Sequence, residues 1–150
     1  MTVSPDGGCP PKGALDGVVV IDFTQVLSGP FCTMMLADQG ARVIKVEPPG
    51  GDQTRKFGPF RKGQLTIADG GYGSYFASTN RNKESIVVDL KSPAGREVIL
   101  RLAAKADILV ENFRAGVMDR LKLGYETLRQ VNPRLVYGAI RGFGDERSGK

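Results

Sequence analysis

The chain has 150 residues, with 21 Lys and Arg against 16 Asp and Glu, a net charge of +5. Its 41% hydrophobic and 25% charged content are those of a globular protein long enough to bury one core. The basic residues are scattered among acids and aromatics make up only 7%, which argues against a nucleic-acid surface, and the absence of histidine excludes Ser-His-Asp or Cys-His catalysis within these residues.

Residues 1 to 14 read as a flexible tail rich in Pro and Gly. The tail lacks the apolar stretch of a signal peptide, and no run in the chain reaches the length of a membrane span. Cys9 in the tail and Cys32 further on have no metal-ligand spacing, so no metal site and no disulfide are expected, and a reducing cytoplasm is the expected location. "VVVIDF" (18 to 23) is a continuous β-branched run, the pattern of a strand buried on both faces of a parallel sheet. Pro30 suits the first turn of a helix that runs to Gly40, a C-terminal cap. Within that helix Phe31, Met34, Met35 and Ala37 are expected to face the core.

"RVIKVE" (42 to 47) predicts the second strand, and residues 48 to 75 a long connection that ends in a short helix around Tyr75 to Ser78. "ESIVVDL" (84 to 90) predicts the third strand. The stretch 92 to 106 predicts a helix capped by Ser92 with Pro93 in first position, and Val98, Leu102 and Ala106 on one face. "DILVEN" (107 to 112) predicts the fourth strand, 121 to 131 one or two short helices, and "RLVYGAI" (134 to 140) the fifth strand. Strands alternating with helices argue for right-handed crossovers and a parallel α/β sheet of Rossmann-like type. The loop that follows, "RGFGDERSGK", reads as cut in its middle, so the chain is expected to be the N-terminal portion of a longer protein.

Ligands of such sheets bind beyond the carboxyl ends of the strands. Three segments meet that condition: Thr24 to Pro30, Glu47 to Thr54 and Glu111 to Gly116. The first strand and its turn have the frame of a dinucleotide site, but Ser28-Gly29-Pro30 stands where G-x-G-x-x-G would be. Ser28 and Gly29 offer backbone N–H groups to an oxyanion, or Ser28 is only a helix cap. Glu47 binds a ribose hydroxyl or is a surface acid. Asn112, Phe113 and Arg114 combine an amide, an aromatic face and a guanidinium, a set suited to adenine and phosphate.

Four ordered motifs then point one way: "LDGVVVIDFTQVLSGPFCTMMLADQGARVIKVEPPGGDQTR", "FASTNRNKESIVVDLKSPAGREV", "ADILVENFRAGVMDRLKLGYETL" and "NPRLVYGAIRGFG". From Leu15 onward the chain resembles the class III CoA-transferases, the family of formyl-CoA transferase, carnitine CoA-transferase and α-methylacyl-CoA racemase. The resemblance implies a Rossmann-like domain over residues 15 to 150 that binds coenzyme A in place of a dinucleotide. It implies contact with the pantetheine end at Leu27 and Ser28, with the adenosine near Pro48, and with the cofactor along Val88, Asp89, Leu90 and Lys91. Asn112, Phe113, Arg114 and Arg120 are further implied CoA-binding residues. The substrates implied are acyl-CoA and small carboxylic acids, with no permanently bound cofactor, no nucleic acid and no membrane. The family's enzymes are interlocked homodimers that work through an aspartyl-CoA intermediate. No catalytic residue is expected in this chain, because the family's nucleophilic aspartate lies beyond Lys150; the portion alone is expected to be inactive.

One departure concerns specificity. Formyl-CoA transferase carries "HVQAG" where this chain has Gln25-Val26-Leu27-Ser28-Gly29. An amide there gives way to Leu27, which points toward a bulkier or more apolar acyl group than formyl or oxalyl. Two alternatives stay open: the racemase or epimerase branch, whose proton transfer needs a general base that a His and an Asp supply in the racemases, and a non-catalytic nucleotide-binding domain.

Overall fold

The computed structural model describes residues 13–60 and 72–143. The tail through residue 12, with Cys9, the 61–71 part of the long connection, and residues 144–150, with Asp145, lie outside the described residues. Five strands, β1 (Val19–Asp22), β2 (Arg42–Glu47), β3 (Lys83–Val87), β4 (Ile108–Glu111) and β5 (Val136–Ala139), form one sheet in the order β3-β2-β1-β4-β5. Every pairing is parallel, with Ile21 opposite Ile44 on one side and Leu109 on the other. The helices are α1 (Ser28–Asp38), α2 (Ser74–Asn80), α3 (Pro93–Ala103), α4 (Val117–Arg120) and α5 (Tyr125–Val131). This is the Rossmann-like parallel α/β sheet expected from the alternation of strands and helices.

Successive strand residues point to opposite faces, so the apolar runs feed two cores at once. Ile21, Val46 and Leu109 join Ile99, Ala103, Met118, Leu123 and Leu128 on the α3, α4 and α5 side. Val20, Val43 and Val110 join Ala37 and Ala41 on the α1 side. The edge strands β3 and β5 are only partly buried, and Val87 and Val136 are exposed.

Helix ends follow the local chemistry. Past α1, Gly40 takes φ +100°, its N–H reaches the Ala37 carbonyl at 3.0 Å, and the Ala41 N–H reaches that of Leu36 at 3.1 Å. That pair of bonds is the Schellman arrangement, which only a residue tolerant of positive φ completes without cost. At α3, Ser92 Oγ accepts from the Gly95 N–H at 2.9 Å and Pro93 opens the helix, as its sequence implies.

Several expectations need correction. On α1 the buried face is Gly29, Pro30, Thr33, Met34 and Ala37, whereas Phe31 and Met35 are about half exposed, at 48% and 49%. The helix lies on the sheet through its small residues, which turns the large pair outward. On α3 the buried residues are Gly95, Ile99 and Ala103, and Val98 is exposed; Ala106 is buried beyond the helix end. β3 stops at Val87, short of residue 90: the Val88 N–H makes the last ladder bond, to the Glu47 carbonyl, and the chain then turns through Asp89 into the α3 cap. The first of the two short helices begins at Val117, ahead of the expected 121. The long connection opens with a 3₁₀ helix, Gln53–Lys56, capped by Asp52.

Candidate functional site

Parallel strands bring all five carboxyl ends to one edge of the sheet, and the chain reverses its winding between β1 and β4. A crevice forms at such a reversal because the two neighbouring connections depart to opposite faces. Here the loop after β1 and the loop after β4 border a cleft of ≈ 410 Å³, lined by Gln25, Val26, Leu27, Ser28, Asn112 and Phe113. Its size falls within the usual range for small-molecule sites, roughly 300 to 1,000 Å³.

The walls are held from behind. Thr24 is buried, and its N–H and hydroxyl both donate to Asp22 Oδ1, at 2.8 and 2.5 Å. A Cβ on Gly29 would stand 2.3 Å from the Thr24 Cβ, so only glycine lets α1 begin this close to the loop. Asn112 accepts from the Gln25 N–H and donates to the Gln25 carbonyl, both at 2.8 Å. Phe113 lies 6.5 Å from the buried Phe23 ring and packs on the larger core cluster. The helix α1 starts without a side-chain cap because Leu27 occupies the cap position, so Ser28 is the first helical residue and caps nothing.

The structure thus brings Leu27, Ser28, Asn112 and Phe113 together at one cleft. Arg114 follows in the same loop, exposed. Arg120 lies at the end of α4, and a Cβ on Gly116 (φ +76°) would stand 3.4 Å from its guanidinium. Among the described residues neither Arg114 nor Arg120 has an ion-pair partner. Pro48 is exposed after β2 and its carbonyl accepts from the Gly51 N–H at 2.8 Å. Val88 to Lys91 follow β3, two strands away from β1, and do not line the cleft. Val88 and Leu90 pack on the core, the Asp89 carboxylate accepts from the Lys91 N–H at 2.9 Å, and Lys91 is exposed.

Glu47 is neither a free ribose ligand nor a surface acid. It is 2% exposed, and its two oxygens accept from Arg55 (2.7 and 2.6 Å), Ser85 Oγ (2.5 Å) and the Asp52 N–H (2.8 Å). Burial works to raise its pKa, but those donors outweigh it and bring the carboxyl down to about 2. The same wall holds Lys45 against Asp52 at 2.9 Å and against the Thr24 carbonyl at 2.8 Å. Burial lowers the pKa of Lys83, against the opposing pull of Asp22.

Gln25 and Val26 lie within the Thr24 to Pro30 segment expected at the site but were not singled out as lining residues, and this wall of buried charge was missed. The signal was present. Asp22, Lys45 and Glu47 are charges inside strands otherwise patterned for burial on both faces, and such charges persist only when paired. At the far side of the site Glu111 is fully buried under Arg141, which meets it at 2.9 and 2.5 Å, and Tyr137, whose hydroxyl donates at 3.2 Å. Burial first, then the Glu111 charge, push the Tyr137 phenol upward.

The chain matches the model of CoA-transferase family III over residues 15–150. It is 53% identical to the succinyl-CoA:mesaconate CoA-transferase of Haloarcula hispanica over 141 residues, 92% of this chain and 34% of that protein. It is also 53% identical to the acetyl-CoA:oxalate CoA-transferase of Acetobacter aceti over 135 residues, 89% of this chain and 33% of that protein. The crystal structure of a CAIB/BAIF family protein from Brucella suis superposes with a TM-score of 0.83 at 41% identity, covering 93% of this chain and 36% of that one. The chain therefore spans about a third of the length of the curated relatives it matches. By sequence and by fold it belongs to CoA-transferase family III.

Proposed function

We propose that residues 15 to 150 are the CoA-binding domain of an enzyme that transfers coenzyme A from an acyl-CoA to a small carboxylic acid. The observation that carries this reading is the cleft between the β1 and β4 loops: it sits where a dinucleotide would bind, yet its turn is Leu27-Ser28-Gly29-Pro30, with no phosphate-binding glycine pattern. The lining is mostly apolar or uncharged, which suits a pantetheine arm, and Arg114 and Arg120 lie on the connection that leaves β4. An arginine fork matches the phosphates of CoA in geometry and charge.

In the proposed reaction a carboxylate attacks the thioester carbonyl and expels the CoA thiolate, leaving an acyl-aspartyl anhydride. The thiolate then attacks the aspartyl carbonyl, releasing the donor acid and forming aspartyl-CoA. The acceptor carboxylate and the thiolate repeat the two steps in the other direction, and the aspartate is regenerated. Holding the group as an anhydride and then a thioester keeps it activated throughout. None of the six residues lining the cleft is acidic, so they bind and orient, and the nucleophile is not among them. The working protein is proposed to be an interlocked homodimer in the cytoplasm, a compartment in which the exposed, free Cys32 stays reduced. Among the described residues no helix is long and apolar enough to cross a membrane.

The test is thermal unfolding of the chain with CoA and, separately, with NAD. A ligand at a hundred times its dissociation constant stabilises by about 2.7 kcal/mol. CoA is expected to raise the midpoint in a concentration-dependent way and NAD to leave it unchanged. A response to NAD without one to CoA overturns the reading.

A further inference from the structure

The side-chain amide of Asn112 does for Gln25 what a neighbouring strand would do. It accepts from the Gln25 N–H and donates to the Gln25 carbonyl, each at 2.8 Å, across 87 positions of sequence. Only an amide offers both an acceptor and a donor in one plane at this reach; a carboxylate lacks the donor. The next residue, Val26, has φ +68°. A β-branched residue in the left-handed region is an outlier, disfavoured by roughly five- to thirty-fold against the ordinary regions. Val26 is 40% exposed, so packing of its own side chain does little to hold it there. Directly after it, Leu27 and Ser28 enter the cleft and start α1.

We propose that Asn112 is a positioning residue. By pinning both backbone polar atoms of Gln25 it holds Val26 in the left-handed conformation, and that conformation aims Leu27 and Ser28 into the cleft. Without the clamp, the peptide between Gln25 and Val26 rotates, Val26 relaxes to negative φ, and the β1 side of the cleft loses its shape. The consequence for ligand binding rests on the reading of the cleft as a CoA site; the clamp itself does not.

The test is a double-mutant cycle on CoA affinity, measured by titration calorimetry with wild-type chain, Asn112→Ala, Val26→Gly and the double variant. Glycine takes positive φ without penalty, so a clamp that works by offsetting the cost at Val26 matters less once Val26→Gly has removed that cost. Asn112→Ala is expected to weaken CoA about five- to thirty-fold in the wild-type background and less than about threefold in the Val26→Gly background. An equal loss in both backgrounds means that Asn112 acts on CoA directly, and overturns the proposal. Amide hydrogen exchange at Gln25 provides a readout without ligand. It is expected to speed up about fivefold or more in Asn112→Ala, and in Asn112→Leu, which keeps the shape without the polar atoms, should the alanine variant not fold. Unchanged exchange at Gln25 overturns the clamp. Absence of CoA binding by the wild-type chain overturns the reading of the cleft, and the exchange result then decides the clamp alone.

Discussion

Lys83 and Asp22 meet at 2.9 Å with side chains 2% and 0% exposed, and so tie the start of β3 to the end of β1 across the whole width of β2. The ammonium donates in addition to the Pro30 carbonyl and to Asn80 Oδ1, both at 2.9 Å, which fastens α1 and α2 to the same point. Asp22 takes its other donors from Thr24 and Thr33. The cleft therefore rests on a buried charge pair whose every polar atom has a partner, in place of the glycine loop of a dinucleotide fold.

Removing one member of such a pair leaves the other buried and uncompensated. Lys83→Met is expected to lower the unfolding free energy by about 3–5 kcal/mol in urea titration. Adding Asp22→Asn to Lys83→Met should recover part of that loss, because the stranded charge is gone. Equal stability of the two variants would show that Asp22 is not the group left stranded.

Glu47 predicts an acid-labile wall. Its folded pKa, about 2, lies below the ordinary 4.5, so the folded state binds fewer protons than the unfolded one in this window. Its contribution is fully present above pH 4.5 and is lost as pH falls toward 2. Stability measured across the acid range, from near neutrality down toward that folded pKa, should fall more steeply for the wild-type chain than for Glu47→Gln, which has no proton to gain. Parallel profiles would contradict the assignment.

Gly29 predicts a steric effect. A Cβ there meets the Thr24 side chain at 2.3 to 3.0 Å, whereas one on Gly50 meets nothing within 4 Å. Gly29→Ala is expected to cost about 1–3 kcal/mol through overpacking, despite alanine's better helix propensity. Gly50→Ala should stay within about 0.5 kcal/mol. Denaturation midpoints of the two variants provide the comparison.

Arg120 predicts a phosphate contact. Arg120→Ala is expected to weaken CoA about tenfold or more at low salt, the loss of one charge-assisted interaction. The difference from wild type should shrink as salt rises, because exposed charges are screened. Titrations at two ionic strengths check it; a loss independent of salt would assign Arg120 a packing role.

Much of the fold was legible in the sequence. The β-branched run through Val20 and Ile21, the Pro30 start and Gly40 stop of α1, and the Ser92-Pro93 opening of α3 are short-range signals, each decided within a few residues. The alternation of strand and helix then dictated a parallel sheet, and the ordered motifs indicated the family. The outward face of α1 was not legible: Phe31 and Met35 repeat at helical spacing as convincingly as Met34 and Ala37. Which stripe meets the sheet depends on the close approach that Gly29 permits at Thr24.

Partner choice among these charged and polar groups belongs to tertiary structure alone. Glu47 finds Ser85 and Arg55, Asp22 finds Lys83, and Asn112 finds Gln25, at separations of up to 87 residues. Local sequence determines that a charge inside a buried strand needs a partner, since leaving it unpaired in a medium of low polarisability costs too much. It does not say which of 21 basic residues or which backbone amide will arrive. That is decided by the strand order and by the register of β3 on β2, which place Lys83 opposite Val43 and Ser85 opposite Lys45 before any side chain makes its contact.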